Sequence, residues 1–585
     1  FRKIRFFNWR NNQSKWRSGD DVKYSEILKA NRLLENKDSS TYKITILSNI
    51  MVHQAKDLCE YSLRVDNVNA FVQLGDYDNI VQDSLKFKEL NAVVIFWEMY
   101  NFIDGLQYKS ELLSQKGVND LIIKIKIEID IVFNNFNDIS LLIINKFSNL
   151  IFNQYELSKN KSDFIIDELN KYLTSKNQIN LQIIDIDKVI AKASIKRSVD
   201  LRYFYSSKTL YSIEFYREYF AHIKPLFLLA NGKIKKALIF DCDNTLWKGV
   251  LGEDGFDNIK MFQEVQYLAK ILSKSGVIIG LCSKNNAKDI DEVIQNHKNM
   301  ILKSKDIVIK KVNWEDKVSN IKAIAKELNI GLDSLVFVDD SDFEVNLIKE
   351  ELPMVKVLQV PKKECEYNLL IRNAMNLFYN PSQTKEDLVK VTMYKTQVQR
   401  VNQEQKIGNI EEYLKSLKLE ITTYIDDINS VARISQMTQK TNQFNLTTKR
   451  YAHKDIEVFI NNDNYTVLAI GVNDKFGDNG IVGLAILEYN NNIAYIDTLL
   501  MSCRVLGRNI EYRFMDIIND IVISKGFEKL SSNYIKTLKN EQVSDLYDRY
   551  GFKILEKDEE STSYTMLVKR YKGKKLEYIR IKNGK

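Results

Sequence analysis

Two carboxylates, two residues apart, close a short apolar run. Ala237 to Phe240 is too short for a helix and is bounded by polar residues, so it reads as a buried strand of a parallel sheet. The run ends in Asp241-Cys242-Asp243-Asn244-Thr245. A second run, Val277 to Cys282, delivers Ser283-Lys284-Asn285. Asn313-Trp314-Glu315-Asp316-Lys317 opens a helical segment that reaches Leu328. A third run, Ser334 to Val338, delivers Asp339-Asp340. In open α/β sheets ligands bind at the carboxyl ends of the strands. Carboxylates there can hold a hard cation, attack an electrophile or exchange a proton. The plain alternative is that Asp241 and Asp243 cap a turn or a helix, but four such sites in one order weigh against it.

The order strand-Asp-x-Asp-x-Thr, strand-Ser, Lys, strand-Asp-Asp resembles the four motifs of the haloacid dehalogenase (HAD) superfamily. The resemblance implies phosphoryl chemistry with Mg²⁺ held by Asp241, Asp339 and Asp340, with Asp243 included in the metal-binding set. Asp241 is then the nucleophile, forming an aspartyl-phosphate. Asp243 protonates the leaving oxygen and later activates water. Lys317 offsets the charge, and Ser283 donates to a phosphate oxygen. Asn244, Thr245, Lys284 and Asn285 are expected to bind phosphate or substrate. Between Thr245 and Ser283 there is room for little beyond a turn and one helix, Phe262 to Ser275, so no large cap domain is expected. A neighbouring domain or a bulky substrate must then exclude water, which points to a substrate carried on a protein.

The chain has 585 residues, too many for one core. Hydrophobic content of 44% with 28% charged residues is ordinary for a globular protein. A net charge of +8 does not demand nucleic acid but suits an acidic partner. Five scattered cysteines argue against a disulfide framework and for a reducing cytoplasm. No run reaches the ~18 apolar residues of a membrane span.

The expected fold class is α/β in three domains. Residues 1–40 are a polar extension with one helix near Tyr24 to Glu35. Residues 41–231 form an α/β domain with strands at Thr41 to Leu47, Asn69 to Gln73 and Ala92 to Trp97. The alternation in Leu121 to Phe133 points to a further strand, with a helix left open. A serine after the first strand, Ser48, resembles the SGNH-type esterases. Asp200-Leu-Arg-Tyr203 lacks the histidine such an enzyme needs, so Ser48 reads as structural or binding and the domain as non-hydrolytic. His222 reads as a packed helix residue. Residues 232–380 are the capless HAD domain with a parallel sheet, and 381–425 a helical connector. Residues 426–570 form an α+β domain, and 571–585 a frayed basic tail.

In that last domain come strands, then Ser502-Cys503-Arg504-Val505-Leu506-Gly507-Arg508, a helix, and Asn540 and Tyr547 ahead of Gly551-Phe552. This order resembles the GNAT acyltransferase fold, in which a loop and helix N-terminus bind the pyrophosphate of coenzyme A. With the motifs at 241–255, 283–285, 313–317 and 337–340, and with Lys440 to Thr447 and Asp474 to Gly480, the chain resembles the FkbH-like branch of HAD subfamily IIIC. Ser341-Asp342 and Lys248 depart from that pattern.

The resemblance implies a bifunctional glyceryltransferase/phosphatase of polyketide or other secondary metabolism. It takes D-1,3-bisphosphoglycerate, removes phosphate and loads the glyceryl unit on the phosphopantetheine of an acyl carrier protein. Arg504, Gly507, Arg508, Asn540 and Tyr547 are then expected to bind phosphopantetheine. Cys503, before a helix start and beside Arg504 and Arg508, is the first choice for an acyl relay. Cys242, between two carboxylates, is the second. Two rival readings stay open: a HAD phosphatase fused to a GNAT that acylates a polysaccharide sugar, and a non-catalytic scaffold that docks a carrier protein.

Overall fold

The computed structural model describes residues 23–35, 41–87, 89–152, 158–178, 180–381, 385–407, 409–490, 492–537 and 539–583. The chain forms two compact units, 1–231 and 232–585. The first unit is built on a five-stranded parallel sheet: β1 (Tyr42–Ser48), β2 (Ala70–Leu74), β3 (Ala92–Phe96), β4 (Leu141–Asn145) and β5 (Leu181–Ile184). Its order is β2-β1-β3-β4-β5, so the connections reverse direction between β1 and β3. Every residue of β3 and β4 is buried, as expected of strands covered on both faces.

Leu121 to Phe133 is helical and is not a strand. It lies inside the helix Gln115–Asn135, capped by Ser114 Oγ, which accepts from Gly117 N at 3.1 Å. The buried positions Val118, Leu121, Ile122, Ile125, Ile129, Val132 and Phe133 follow the helical period, while Ile123, Ile127 and Ile131 face solvent.

The second unit holds two main sheets. The first consists of β6 (Ala237–Phe240), β9 (Ile278–Ser283), β10 (Ile307–Val312), β11 (Leu335–Asp339) and β12 (Lys356–Gln359). It is parallel throughout, in the order β10-β9-β6-β11-β12. Beside it stands a two-strand hairpin, β7 (Trp247–Lys248) and β8 (Lys260–Met261), with the short helix Leu251–Asp254 between. That hairpin and the helix Gln263–Lys274 account for the stretch from Thr245 to β9, so no cap domain is inserted there.

The other main sheet has eight strands: β13 (Leu419–Ile425), β14 (Tyr465–Asp474), β15 (Gly477–Asn490), β16 (Ile493–Met501), β17 (Lys529–Ile535), β18 (Lys553–Lys557), β19 (Ser561–Leu567) and β20 (Ile579–Asn583). Their order is β18-β19-β17-β16-β15-β14-β13-β20. Two expected boundaries move. Residues 419–425 belong to this sheet and not to the connector, because β13 pairs with β14. Residues 579–583 are not a frayed tail, because β20 pairs in parallel with the outer side of β13 and supplies its missing hydrogen bonds. The connector itself is the helix Lys385–Ile407. Among the described residues no helix is long and apolar enough to cross a membrane.

Candidate functional site

The carboxylates are placed by the strands that precede them. β6 and β11 pair in parallel and are fully buried, which brings their carboxyl ends, Asp241 and Asp339, side by side. Asp241 N donates to Val338 O at 2.9 Å. Lys317 is the first residue of the helix Lys317–Leu328, whose cap is Asp316 (Ser319 N to Oδ1, 2.8 Å). A cation at a helix N-terminus opposes the helix dipole, so this position needs another source of stabilisation. The ammonium supplies it by lying 2.6 Å from Asp339 Oδ2 and 3.1 Å from Asp241 Oδ1, with all three side chains buried.

Asp241, Asp339 and Asp340 each offer an oxygen within 4.8 Å of the others. Three carboxylates against one ammonium leave the cluster net negative. Burial pushes Asp241 up to about 7; Lys317 opposes the shift and Asp339 adds to it. Burial also raises Asp339, against the pull of Lys317, and raises Asp340, with the charge of Asp339 adding. Burial disfavours the charge of Lys317, yet Asp241 and Asp339 together hold its pKa above the ordinary lysine value. An all-oxygen donor set with excess negative charge fits a hard divalent cation such as Mg²⁺.

Asp243 stands apart from this cluster. Its Oδ1 accepts from Trp247 Nε1 (2.9 Å) and Leu251 N (3.0 Å), and its Oδ2 from Asn285 Nδ2 (2.8 Å). The carboxylate that the sequence reading put among the metal ligands is thus held by three donors. Asn285 also reaches Ser283 Oγ at 3.4 Å, which ties the first two motifs together. Asn244 adopts φ +51° and accepts from Gly249 N (3.0 Å), closing the turn under the hairpin. Thr245 is fully buried, and Tyr367 donates to its carbonyl at 2.8 Å. Lys284 is paired with the buried Glu344 at 2.7 Å, which weakens its case as a substrate ligand. Cys242 is fully buried, and burial, then Asp241, push its thiol far from the thiolate form.

The residues expected to bind phosphopantetheine are largely occupied within the fold. Arg508 Nη1 pairs with Asp474 at 3.1 Å, and its Nη2 donates to Gln397 Oε1 (2.7 Å) and Arg504 O (2.5 Å). Asn540 is fully buried and donates to Asn445 O and Ile535 O. Tyr547 shares a 2.5 Å hydrogen bond with Ser532 Oγ. Gly507, at φ +80°, has open space around it. Asn509 sits at φ +60° before the helix Ile510–Ser524 and donates to Tyr578. Cys503 begins a 3₁₀ turn, Cys503–Val505; its side chain lies outside the described residues.

A second observation bears on the same expectation. β16 and β17 pair in parallel from Ile493 to Ile496. Farther along, the gap between them is taken by the chain's own Phe444–Thr447. Met501 N donates to Phe444 O, Leu446 N to Leu499 O and Ile535 N to Leu446 O. The backbone groups that an amide-bearing arm could use between these strands are therefore already paired. The sequence reading also missed Asp497, which bulges from β16 where the register with β15 shifts. It is buried, accepts from Tyr451 (2.5 Å) and Thr498 (2.9 Å), and pairs with Lys449.

In the first unit, Ser48 is buried and closes a local turn: Oγ donates to Ile50 O (2.6 Å) and accepts from Ile50 N (3.0 Å). Neither bond involves a histidine. The half-buried His222 is pushed down by burial and by Lys192 and Lys188. At the β1/β3 reversal Asn49 and Glu98 exchange backbone–amide hydrogen bonds of 2.8 and 2.7 Å. The Glu98 carboxyl accepts from Tyr211 (2.8 Å), and burial pushes it up to about 7, with Tyr211 opposing and Asp187 adding. A carboxyl raised from 4.5 stabilises the fold most below 4.5, and that contribution is lost as pH rises through about 7. Glu98→Gln is therefore expected to be more stable than wild type at pH 8, by roughly 2–3 kcal/mol, and near wild type at pH 4.5. Urea midpoints at the two pH values measure this; an equal difference at both would refute it.

No protein-family model matches the chain, and no curated protein matches it. Among solved structures it is similar to the N-terminal part of the protein BF1531 from Bacteroides fragilis, described as containing a phosphatase domain complexed with Mg. The identity is 25% and the TM-score 0.53, over 62% of this chain and all of that one. Spermidine/spermine N-acetyltransferase SpeG from Vibrio cholerae is also matched, at 13% identity and a TM-score of 0.21, over 26% of this chain and 95% of that one. So is the ribosomal-protein-S18-alanine N-acetyltransferase from Escherichia coli, at 11% and 0.21, over 27% and 98%.

Proposed function

We propose that this chain is a bifunctional glyceryltransferase/phosphatase that takes D-1,3-bisphosphoglycerate and loads the glyceryl unit as a thioester on the phosphopantetheine of an acyl carrier protein. The observation that carries the phosphatase half is the buried set Asp241, Asp339 and Asp340 around Lys317 at the carboxyl edge of a parallel sheet. The similar Bacteroides structure, with its phosphatase domain and Mg, supports the same half. Asp241, Asp339 and Asp340 would hold Mg²⁺, which when bound draws off phosphoryl charge. Asp241 attacks the phosphorus of the 3-phosphate ester, the bond from phosphorus to the glyceryl oxygen breaks and that oxygen takes up a proton. Water hydrolyses the aspartyl-phosphate to Asp241 and phosphate. The acyl phosphate is spared, and its phosphate leaves when a thiol attacks the acyl carbon to form the thioester. Asp243, fixed by Trp247, Leu251 and Asn285, is held ready to pass the proton. Lys317 balances the negative charge between Asp241 and Asp339.

The transfer half rests on the family resemblance, and the carrier protein, its phosphopantetheine and a cytoplasmic location belong to the same reading. A net charge of +8 suits an acidic carrier. The direct test is intact-mass analysis of a phosphopantetheinylated carrier protein after incubation with the enzyme, Mg²⁺ and 1,3-bisphosphoglycerate. A glyceryl mass increment supports the reading, and phosphate release without one overturns the transfer half.

Cys503 remains the first choice for a relay in this reading. Arg508 is paired with Asp474, so Arg504, which has no carboxylate partner among the described residues, is the cation left beside it in sequence. Cys503→Ser is expected to stop glyceryl arrival on the carrier while phosphate release stays within about twofold of wild type. Mass spectrometry of the Cys503 peptide, after incubation without carrier, should find the acyl adduct in wild type. Transfer continuing in Cys503→Ser would mean direct attack by the carrier thiol.

A further inference from the structure

The two oxygens of Asp243 have different surroundings. Oδ1 accepts two N–H groups, from Trp247 Nε1 at 2.9 Å and from Leu251 N at 3.0 Å. Oδ2 accepts one, from Asn285 Nδ2 at 2.8 Å. Each carboxylate oxygen offers about two lone-pair sites. Those of Oδ1 are both taken, while Oδ2 keeps one free. The chemistry of the donors sharpens the difference. An indole N–H and a backbone N–H can only donate. A proton on Oδ1 would face two N–H groups and find no acceptor. The Asn285 side chain carries both a donor and an acceptor, so it can serve Oδ2 with or without a proton. Both donors to Oδ1 are themselves fixed. Trp247 opens β7 and is fully buried, where an indole N–H needs an acceptor. Leu251 opens the short helix Leu251–Asp254. The turn before it is held by Gly249 N to Asn244 Oδ1 (3.0 Å) and Val250 N to Asp254 Oδ2 (2.7 Å).

We infer, resting on the phosphatase reading of this site, that Asp243 gives and takes the catalytic proton at Oδ2, and that Trp247 is the positioning residue that reserves Oδ1 as an acceptor. Asn285 Nδ2 also lies 3.4 Å from Ser283 Oγ, so Oδ2 is the oxygen on the side of the serine expected to meet phosphate. In the first step Asp241 bonds to phosphorus. The electron pair of the broken phosphorus–oxygen bond stays on the departing ester oxygen, and the proton on Oδ2 passes to it. In the second step water attacks the aspartyl-phosphate, Oδ2 takes a proton from that water, and Asp241 and phosphate separate. Without the indole N–H the carboxyl group is free to turn, and either oxygen can carry the proton. The proton is then delivered from the wrong place in part of the population, and the transfer slows.

The dependence on leaving group tests this on the full chain with Mg²⁺. An alkyl oxygen leaves as an alcohol and needs the proton, whereas 4-nitrophenolate leaves as a stable anion and does not. The ratio kcat/KM reports phosphoryl transfer to Asp241 and excludes the later hydrolysis, which both esters share. Trp247→Phe is expected to lower kcat/KM at least about tenfold more for 3-phosphoglycerate than for 4-nitrophenyl phosphate. Trp247→Tyr also lacks the ring N–H but fills more of the buried space. It is expected to behave alike, and the unfolding midpoints of both variants are checked so that one failure to fold leaves the other. In an Asp243→Asn background Trp247→Phe should change the alkyl-to-aryl ratio less than about twofold, because a residue acting through Asp243 has nothing left to position. Equal losses for the two esters, or a full additional effect in the Asp243→Asn background, would show that Trp247 only packs the core and would overturn the inference. Wild type that turns over the aryl ester alone would overturn the delivery of a proton from Oδ2. Wild type that turns over neither ester would overturn the phosphatase reading itself.

Discussion

Asp241→Asn is expected to lower Mg²⁺-dependent phosphate release by more than roughly 10³-fold while leaving the fold intact. The amide keeps the shape of the side chain, so packing around β6 and β11 is unchanged. It cannot attack phosphorus, and it takes one anionic ligand from a cluster of three. Lys317 keeps its 2.6 Å bond to Asp339, so the ammonium is not orphaned. Burial already raises the Asp241 carboxyl, with Asp339 adding repulsion, and a neutral amide escapes both costs. The unfolding midpoint in EDTA should therefore be no lower than that of wild type. Phosphate release is read with a simple phosphate ester and Mg²⁺. Retention of more than a tenth of wild-type activity by this variant would remove Asp241 from the nucleophile role and the reading with it.

The parts of this protein that were legible in the sequence share one physical feature: local signal. β6 and β11 are buried on both faces, so they appear as continuous apolar runs, and the carboxylates follow them directly. Lys317 was legible because Asp316 is a good helix cap immediately before it. The helix over Leu121 to Phe133 was ambiguous because residues four apart satisfy both periods. Ile125 and Ile129 lie on one face of a helix and equally on one face of a strand; the cap at Ser114 and the exposed Ile123, Ile127 and Ile131 decide it. Two of the residues assigned to phosphopantetheine, Arg508 and Asn540, are engaged within the fold, which no local signal could show. Their types suit phosphate or thioester ligands, but Asp474, Gln397 and Asn445, which occupy Arg508 and Asn540, are distant in the chain.

The largest stability effect is expected from Asp474→Ala. Asp474 ends β14 with its side chain fully buried, and it faces two equally buried guanidinium groups. Arg400, from the connector helix, donates from Nη2 to Oδ1 at 2.9 Å and places Nε 2.9 Å from Oδ2. Arg508 Nη1 reaches Oδ2 at 3.1 Å, and Phe476 N donates to Oδ1 at 2.9 Å. Burial, and then Arg400, push Arg508 down to about 10, so its guanidinium remains charged near neutral pH. Removing this carboxylate leaves two buried cations close together with a vacated acceptor position. Breaking a buried ion pair in this way costs about 3–5 kcal/mol. Arg508→Met is expected to cost less, because Arg400 and Asp474 remain as a balanced pair. The urea midpoint of the second unit is the measurement, with proteolysis of the helix Lys385–Ile407 as a local readout, since Arg400 is what joins that helix to Asp474. A loss below about 1 kcal/mol for Asp474→Ala, or a larger loss for Arg508→Met, would show that water reaches the network and that the carboxylate is not its central counter-ion.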